Sequence, residues 1–182
     1  MDRALGWDIV VGYPVAKLVP CTTVSVEVTP KGTRGASLPK LPGWLMRAGL
    51  SVFVGALRLS GGRMKMGGVP LLVLTTVGAR SGHTRKVPLT WFPDNPAAAD
   101  RRLVVASLGG AANHPNWFYN LAHNPDKVWI EVGRRTLKVR PETLTGAERD
   151  EAYRRVVAAY PGYGAYEQKT DRMIPVIRLI AE

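Results

Sequence analysis

The stretch TTVGARSGHTRKVP, residues 75–88, combines glycines with basic and hydroxyl side chains, as phosphate-binding turns do. Gly78 and Gly82 permit backbone angles that bring peptide N–H groups close to an anion. The polar side chains around them include Arg80, Ser81, Arg85 and Lys86. Arginine adds charge-assisted, two-pronged hydrogen bonds to phosphate oxygens. The stretch therefore predicts a site for a phosphorylated ligand, although similar basic turns also occur on surfaces that bind nothing.

Two further groups of residues have the types expected around a flat ring. Small residues follow a β-prone run at Ala106, Ser107, Leu108, Gly109 and Gly110, where a ring can approach the backbone and accept hydrogen bonds from it. Trp117, Asn120 and Leu121 are three and four positions apart and share one face of a predicted helix. Taken alone, the first pattern is also typical of a strand exit, and the second of a core tryptophan beside a capping amide.

Three tyrosines at regular spacing form the third candidate group. Tyr160, Tyr163 and Tyr166 combine rings that stack with hydroxyls that donate, and they would line a substrate pocket or form a packing ridge. Gly162 and Gly164 lie between them and favour a mobile wall or lid over a rigid helix.

Composition limits the kinds of site that the chain can hold. The 182 residues favour one domain, and 25 Lys+Arg against 14 Asp+Glu give a net charge of +11, which favours an anionic partner. Cys21 is the single cysteine, which excludes an intrachain disulfide and argues against a cysteine zinc site. His114 is expected in a cap or loop and His123 on the surface, so neither predicts a metal. No run is apolar and long enough to span a bilayer, and we expect a cytoplasmic protein.

The elements that must position these residues alternate short strands with short helices. A helix is predicted over Pro42–Ser60 and strands over Val69–Val77, Arg85–Phe92 and Leu103–Ser107; then come a helix over His114–Ala122, a hairpin of Val128–Val132 and Thr136–Val139, a helix from Thr145 to about Tyr160, and a strand over Pro175–Ile180. Asn113 or His114 would cap the second helix, and Thr145 with Glu148 forms a capping box for the third.

This order predicts a mainly β fold with added helices (α+β): a split, antiparallel β-barrel of about six strands with the helices packed outside. No G-x-G-x-x-G follows a strand, which argues against a Rossmann site. Residues 1–41 are predicted to be an N-terminal extension, with a β-prone stretch at 22–29 and a linker at 30–39, and residues 42–182 the barrel domain.

A signature motif and six further segments in register resemble the deazaflavin-dependent nitroreductase family. Residues 75–89 are similar to its TT-x-G-R-[KR]-S-G-x-x-R-x-x-P-L signature, with Ala79 where a basic residue is usual. The matching segments that follow are Ala106-Ser107 with Gly109-Gly110, Pro115-x-Trp117-x-x-Asn120-Leu121, Asn124-Pro125, Glu131-Val132-Gly133, Tyr160-Pro161 with Tyr163 and Tyr166, and Arg172-x-Ile174-Pro175-Val176. The resemblance covers about residues 42–182.

The resemblance implies the split β-barrel of small FMN proteins and binding of coenzyme F420, an 8-hydroxy-5-deazaflavin with a phosphate and an oligoglutamate tail. It implies that Arg80, Ser81 and Arg85 hold the phosphate, that Trp117 and Asn120 face the deazaflavin, and that the tyrosines line the acceptor pocket. From its charge, Lys86 would reach the tail carboxylates. Ala106, Ser107, Gly109 and Gly110 are assigned to the ring, and Ser107, Tyr163 and Tyr166 to catalysis.

The activity implied is hydride transfer from the reduced deazaflavin to a quinone, a nitroaromatic or an activated alkene. A non-catalytic F420 carrier, an FMN-binding barrel and a nucleic-acid-binding barrel stay open as alternatives, the last disfavoured because aromatic and basic residues do not interleave. The helix at 42–60, with Arg58, Arg63 and Lys65, is compatible with peripheral contact to an anionic membrane. Small split barrels often form homodimers, so a dimer is a further expectation.

Overall fold

The computed structural model describes residues 26–37, 42–95 and 100–182, and the side chain of Arg47 lies outside the description. Helix α1 (Gly43–Leu59) is followed by strands β1 (Lys65–Met66), β2 (Val69–Val77), β3 (Thr84–Thr90), β4 (Phe92–Pro93) and β5 (Arg101–Val105), helix α2 (Asn116–His123), strands β6 (Trp129–Val132) and β7 (Arg135–Thr143), helices α3 (Gly146–Ala159) and α4 (Gly164–Lys169), and strand β8 (Val176–Ala181). Short 3-10 turns occupy Leu108–Gly110 and Pro161–Tyr163.

Every strand pairing among the described residues is antiparallel. The strand order is β1-β2-β6-β7-β8-β5-β4, with β3 paired to β2 along Thr84–Thr90. The antiparallel sheet curls into a half-barrel, which confirms the predicted split-barrel class. The long hairpin of β2 and β3 ends at the cationic turn and therefore places that turn at one end of the barrel.

Strand β2 is buried on both faces, which explains its nearly continuous apolar sequence. Leu72 and Leu74 pack in the core cluster that also contains Trp117 and Phe118 of α2. Leu71 and Val73 point the other way, as alternate residues of a strand must, and pack with Val54 and Leu57 of α1. Strand β2 is thus covered by α2 on one face and by α1 on the other.

A further core cluster lies beneath α3 and the tyrosine segment. Tyr153 and Val156 of α3 pack there with Tyr163, and strands contribute Phe92, Leu103, Val105 and Val176. Tyr160 and Tyr166 pack against its edge. The tyrosine segment is therefore fixed by the same core that fixes α3 to the sheet.

The predicted elements are all present, with differences at several ends. The strand predicted over Arg85–Phe92 ends at Thr90, and Phe92–Pro93 forms a separate short strand with β5. The two-residue strands β1 and β4 bring the number of strands within the described ranges to eight instead of about six. Strand β1 pairs with β2 in a tight hairpin and β4 pairs with β5, and strands of two residues are too short to carry a periodic signal.

Both predicted side-chain caps are wrong. The N-cap of α2 is Pro115, and the N-cap Thr145 of α3 forms no side-chain capping bond. The Glu148 carboxylate instead accepts a hydrogen bond from Arg178, whose Nη2 lies 2.6 Å from Oε1. A buried arginine outcompetes a helix terminus for that carboxylate.

The described part of the N-terminal segment, residues 26–37, lies against the barrel domain. The Gly32 amide donates to the Ala112 carbonyl (3.0 Å), and the Ala36 amide to the Gly110 carbonyl (2.8 Å). The β-prone interpretation of 22–29 does not hold for residues 26–29, which form no strand, and its first four residues lie outside the described ranges. Residues 30–37, read as linker, are held to the domain, and residues 38–39 lie outside the described ranges.

Candidate active site

The cationic turn between β2 and β3 is closed by its own backbone. The Gly78 amide donates to the His83 carbonyl and the Gly82 amide to the Gly78 carbonyl, each at 2.9 Å. Gly82 adopts a positive φ of 66°, which favours glycine. Arg80, Ser81 and Arg85 are all exposed around this turn. Arg85 Nη2 lies 3.4 Å from Ser81 Oγ, so two of the predicted phosphate contacts are neighbours in space.

Asn120 of α2 fixes the turn from beneath. Its Oδ1 accepts a hydrogen bond from the Ala79 amide at 3.0 Å, and its Nδ2 donates to Thr76 Oγ1 at 3.1 Å. Asn124, one helical turn later, donates to the Val77 carbonyl at 3.2 Å. Asn120 is buried, and both ends of its amide are engaged. In this structure it positions the turn, and its predicted contact with the deazaflavin stays a prediction.

Lys86 forms part of a separate charged cluster. Glu131 Oε1 accepts from Lys86 Nζ at 2.9 Å, and the same carboxylate accepts two bonds from Arg58, at 2.6 and 2.5 Å. These bonds, led by that of Arg58, lower the pKa of Glu131 to about 2, so its charge is permanent near neutrality. Lys86 is therefore partly neutralised, whereas Arg80 and Arg85 form no ion pair among the described residues.

A groove of about 410 Å³ separates α1 from the start of β3. Leu50 and Val54 line its apolar wall, and Arg58, Arg85 and Lys86 line its basic wall. The groove begins at the cationic turn because Arg85 belongs to both. A ligand seated on the turn can continue into this groove, where its carboxylates would meet cations and its chain would meet aliphatic side chains.

The loop at 106–110 is held by buried contacts. Ala106 belongs to the core cluster of Trp117, and the Ala106 amide donates to the Pro175 carbonyl at 2.9 Å. Gly110 packs so closely on α4 that an added Cβ would lie 2.9 Å from the Tyr166 carbonyl oxygen. Leu108 has a φ of 46°, in a region that non-glycine residues seldom occupy. The backbone here is held in an unusual shape, of the kind that collects at functional sites.

Trp117 is a core residue in this structure. It is only 8% exposed and packs edge-on against Phe118, with ring centroids 6.3 Å apart. Trp117 is therefore a packing residue in this structure. A contact between its exposed edge and the deazaflavin ring stays a prediction.

The three tyrosines form one contiguous ridge. Their rings meet edge to face, with centroids 5.8 Å apart for Tyr160 and Tyr163 and 5.4 Å for Tyr163 and Tyr166. The segment is helical, a 3-10 turn followed by α4, so the argument from Gly162 and Gly164 against a helix was wrong. Gly164 has ordinary helical angles and starts α4.

Tyr163 differs from its two neighbours in burial. It is 7% exposed, and its hydroxyl lies 2.6 Å from Thr90 Oγ1 at the end of β3. Burial raises the pKa of this phenol above its usual value. Tyr160 and Tyr166 are partly exposed, so they are the members of the ridge that a substrate can reach.

The cationic turn and the tyrosine ridge lie at opposite ends of β3. Thr84 starts the strand at the turn, and Thr90 ends it at Tyr163, a distance of up to about 20 Å along the strand. A single ligand touching both must be extended, with its anionic end at the turn. A ring joined to a phosphate through a flexible chain has that form.

The structure thus brings together three pairs of predicted elements: the turn with α2 through Asn120, Ala106 with Trp117, and Gly110 with Tyr166. Sequence reasoning missed Thr90, the Arg58–Glu131–Lys86 cluster and the burial of His114, which is 2% exposed. It also left Arg172 without a role. A basic residue at the start of an apolar run, as Arg172 is before Met173-Ile174-Pro175-Val176, was the available signal, because buried arginines need polar partners.

Among the described residues there is no group of three histidine, cysteine or carboxylate side chains that would hold a metal ion. In the same part of the chain, no helix has the length and apolarity required to cross a membrane.

The protein is a small split-barrel oxidoreductase of the flavin or deazaflavin type. Its half-barrel has a glycine-containing cationic turn at one end and an aromatic ridge at the other. The chain belongs to the F420H2-dependent quinone reductase family, whose model matches residues 52–180. This match confirms the family that the motifs resemble and the predicted cofactor, coenzyme F420.

Individual relatives agree with the family match. The F420H2-dependent quinone reductase Rv1261c of Mycobacterium tuberculosis (strain ATCC 25618 / H37Rv) is 34% identical over 116 residues, which are 62% of this chain and 74% of the relative. A solved F420-H2 dependent reductase, FDR-A, is 38% identical, covers 60% of this chain and 92% of its own, and has a TM-score of 0.52. Another solved structure, described as a domain-swapped dimer, is 31% identical with a TM-score of 0.55, covering 75% of this chain and 96% of its own.

Proposed function

We propose that this protein transfers a hydride from F420H2 to a quinone, with nitroaromatics and activated alkenes as further acceptors of the same electron-poor class. The observation that supports this most directly is the turn at 78–85. Its exposed Arg80, Ser81 and Arg85 fit the phosphate of the cofactor, and Asn120 holds the turn rigid beside α2. In the groove beyond it, Arg85 is the lining cation that forms no ion pair among the described residues, and its charge fits the carboxylates of the tail.

The protein's own groups bind and orient, while the cofactor supplies the hydride. In this proposal Ala106, Ser107, Gly109 and Gly110 contact the ring, and Trp117 closes the ring site from the core side. Ser107 and Tyr166 donate hydrogen bonds to the acceptor as negative charge develops on its oxygen. Tyr160 lines the acceptor site, and Tyr163, whose hydroxyl is engaged by Thr90, holds the ridge in place and reaches the acceptor only if that bond opens.

Binding specificity separates this proposal from its rivals. Purified protein titrated with F420, FMN and single-stranded DNA should bind F420 tightest. Tighter binding of FMN would favour an FMN barrel, and binding of DNA alone would remove the deazaflavin role. Adding a quinone or a nitroaromatic to the F420H2 complex and following oxidation of the cofactor separates an enzyme from a carrier, because a carrier does not turn over.

Arg85→Ala tests the cationic turn, with Lys86→Ala as its matched control. Arg85→Ala should weaken F420 binding at least tenfold at about 0.01 M salt, which corresponds to about 1.4 kcal/mol, and by much less at about 1 M salt, because screening weakens ionic contacts. Lys86→Ala also removes one positive charge, from the adjacent residue, but that charge is already paired with Glu131. Its effect should stay below about threefold. Losses from Arg85→Ala that are equal at the two salt concentrations contradict the phosphate role.

We also propose peripheral contact between α1 and an anionic membrane, which would present the site to a lipid quinone. Trp44, Val52 and Leu59 are 68%, 74% and 89% exposed, although each is apolar. The helix contains no acidic residue, and Arg58 lies in its last turn, with Arg63 and Lys65 just beyond. An apolar face flanked by cations is typical of helices that lie in the membrane interface. The body of the protein is then cytoplasmic.

A homodimer is the remaining proposal about partners. A related solved structure is described as a domain-swapped dimer. Sedimentation of this protein at several concentrations measures the oligomeric state directly, and a single monomeric species throughout would remove the proposal.

A further inference from the structure

Arg172 is a buried arginine whose bonds converge on one loop. It lies between α4 and β8 and is only 6% exposed. Its Nε donates to the Ala111 carbonyl at 2.8 Å, and its Nη2 donates to the carbonyls of Ala106 and Ser107 at 3.0 and 2.8 Å. Three carbonyls at the two ends of the loop 106–111 therefore converge on a single guanidinium.

The charge of Arg172 has no carboxylate partner among the described residues. The two other arginines buried to a similar degree do have one: Arg178 binds Asp94, Glu142 and Glu148, and Arg149 binds Asp150 and Glu167. A buried charge compensated only by carbonyl dipoles costs free energy. The positive potential of Arg172 therefore also acts on a group bound on the opposite face of the loop.

His114 orients the guanidinium from the side away from the loop. Its Nδ1 lies 3.1 Å from Arg172 Nη1 and accepts that proton, while its Nε2 lies 2.9 Å from the Thr29 carbonyl and donates to it. This pattern requires the neutral ring, protonated on Nε2, because Nδ1 can accept from the guanidinium only if it carries no proton of its own. Burial lowers the pKa of His114, in agreement with a neutral ring.

The same bonds determine where the loop amides point. In a planar trans peptide, the carbonyl and the following N–H point in opposite directions. Because the carbonyls of Ala106 and Ser107 turn towards Arg172, the N–H groups of Ser107 and Leu108 turn away from it. Within the described part of the chain these two amides have no protein acceptor. They are donors held ready for a ligand atom.

We propose that Arg172, held by His114, is a positioning residue for the ring site: it turns the Ser107 and Leu108 amides towards the pyrimidine end of the deazaflavin, and its charge favours the reduced ring. This inference rests on the proposed function. A deazaflavin that holds the hydride carries added electron density at N1 and the C2 carbonyl, and a protein tunes such a ring through the charge and hydrogen bonds placed there.

Two substitutions separate the charge of Arg172 from its hydrogen bonds. Arg172→Gln keeps donors but removes the charge, and Arg172→Lys keeps the charge but cannot bridge three carbonyls. The dissociation constants of oxidised F420 and of F420H2 are measured for each. Arg172→Gln should weaken F420H2 at least tenfold more than oxidised F420, a shift of about 30 mV in the bound two-electron potential. Arg172→Lys should weaken both forms while changing their ratio less than about threefold.

Arg178→Gln is the control for loss of a buried arginine. It should lower stability, because Asp94 loses its partner, and leave the ratio of the two dissociation constants unchanged. A folded Arg172→Gln protein with the wild-type ratio overturns the inference while F420 binding by the wild type keeps the proposed function intact. Failure of the wild type to bind F420 overturns the proposed function instead.

A measurement on the wild-type protein decides the matter if the variants do not fold. The amide resonances of Ser107 and Leu108 should shift when F420 is added, and shift further with F420H2, because these N–H groups gain an acceptor. The Gly82 amide, already bonded to the Gly78 carbonyl, provides the comparison within the same spectra. Resonances of Ser107 and Leu108 that do not move when F420 binds contradict the inference.

Discussion

Asn120 and Lys86 illustrate how contacts already made limit what a side chain can do for a ligand. The amide of Asn120 is used on both sides by the turn, and the ammonium of Lys86 is shared with Glu131. Arg80 and Arg85 are exposed and pair with no carboxylate in the part of the chain that the structure describes, so they keep their full charge for an anion. Residue type and spacing locate a binding turn in sequence, but the division between supporting and contacting residues depends on partners distant in the chain.

His114 gives a pH dependence that can be predicted at the level of one residue. Burial lowers its folded pKa below the ordinary value of 6.5, so the unfolded chain binds a proton more readily than the folded one. Its contribution to stability is then fully present above pH 6.5 and declines as the pH falls below it. The free energy of unfolding should fall as the pH drops below about 6.5, with a slope of up to about 1.4 kcal/mol per pH unit.

Urea unfolding at a series of pH values measures this slope, with His114→Gln as the control. Glutamine can accept from Arg172 and donate to the Thr29 carbonyl, but it does not titrate. The carboxylates of Glu131 and Asp171, each with a pKa of about 2, lose their contributions only at lower pH. The same slope in wild type and His114→Gln would show that His114 is not the titrating group.

At the scale of elements, the sequence predicted the helices and strands whose formation depends on residues close to them in the chain. Strand β2 was placed by its nearly continuous apolar run and helix α1 by its apolar periodicity, each within a few residues. The break at Trp91 and the strand β4 depend on pairing of Phe92 with Leu103, which no local pattern records. The caps failed for a similar reason, since Glu148 is bound by an arginine thirty residues further on.

The outer face of α1 makes a prediction about membranes. Val52 is 74% exposed, so Val52→Glu should leave stability within about 0.5 kcal/mol of wild type. On the membrane it would place a charge in the apolar interface and repel anionic headgroups. The binding constant for vesicles rich in phosphatidylserine, measured by co-sedimentation, should fall at least tenfold. Tenfold corresponds to about 1.4 kcal/mol, which is no more than the free energy gained by burying a valine side chain.

Met173→Glu is the matched control for that experiment. Met173 is 49% exposed and lies in the segment between α4 and β8, not on α1, so the same added charge should hardly change vesicle binding. An equal loss in both variants would mean that the net charge alone drives association. No loss in Val52→Glu would mean that α1 does not face the lipid.

At the scale of the whole molecule, the segment at 26–37 is joined to the C-terminal half of the barrel. The Asp171 carboxylate accepts from the amides of Thr33 and Arg34 at 2.9 and 3.0 Å and from the Thr33 hydroxyl at 2.5 Å. These bonds lower the pKa of Asp171 to about 2. Gly35 packs against Ala112 so tightly that an added Cβ would lie 2.0 Å from its amide nitrogen. The segment therefore runs alongside the loop that Arg172 organises.

This arrangement predicts the result of shortening the chain. A protein lacking residues 1–37 loses the carbonyl of Thr29 that accepts from buried His114, and also the partners of Gly110, Ala112 and Asp171. A buried donor left without an acceptor costs about 1–3 kcal/mol, so this truncation should lower the free energy of unfolding by at least about 2 kcal/mol.

A protein that begins at Val26 keeps every one of these contacts and serves as the control. Urea unfolding compares the two, and equal stability would show that residues 26–37 merely rest on a barrel that is complete from residue 42 onward. A loss confined to the shorter protein, accompanied by weaker F420H2 binding, would place part of the N-terminal segment within the functional domain, because the His114–Arg172 pair links the two.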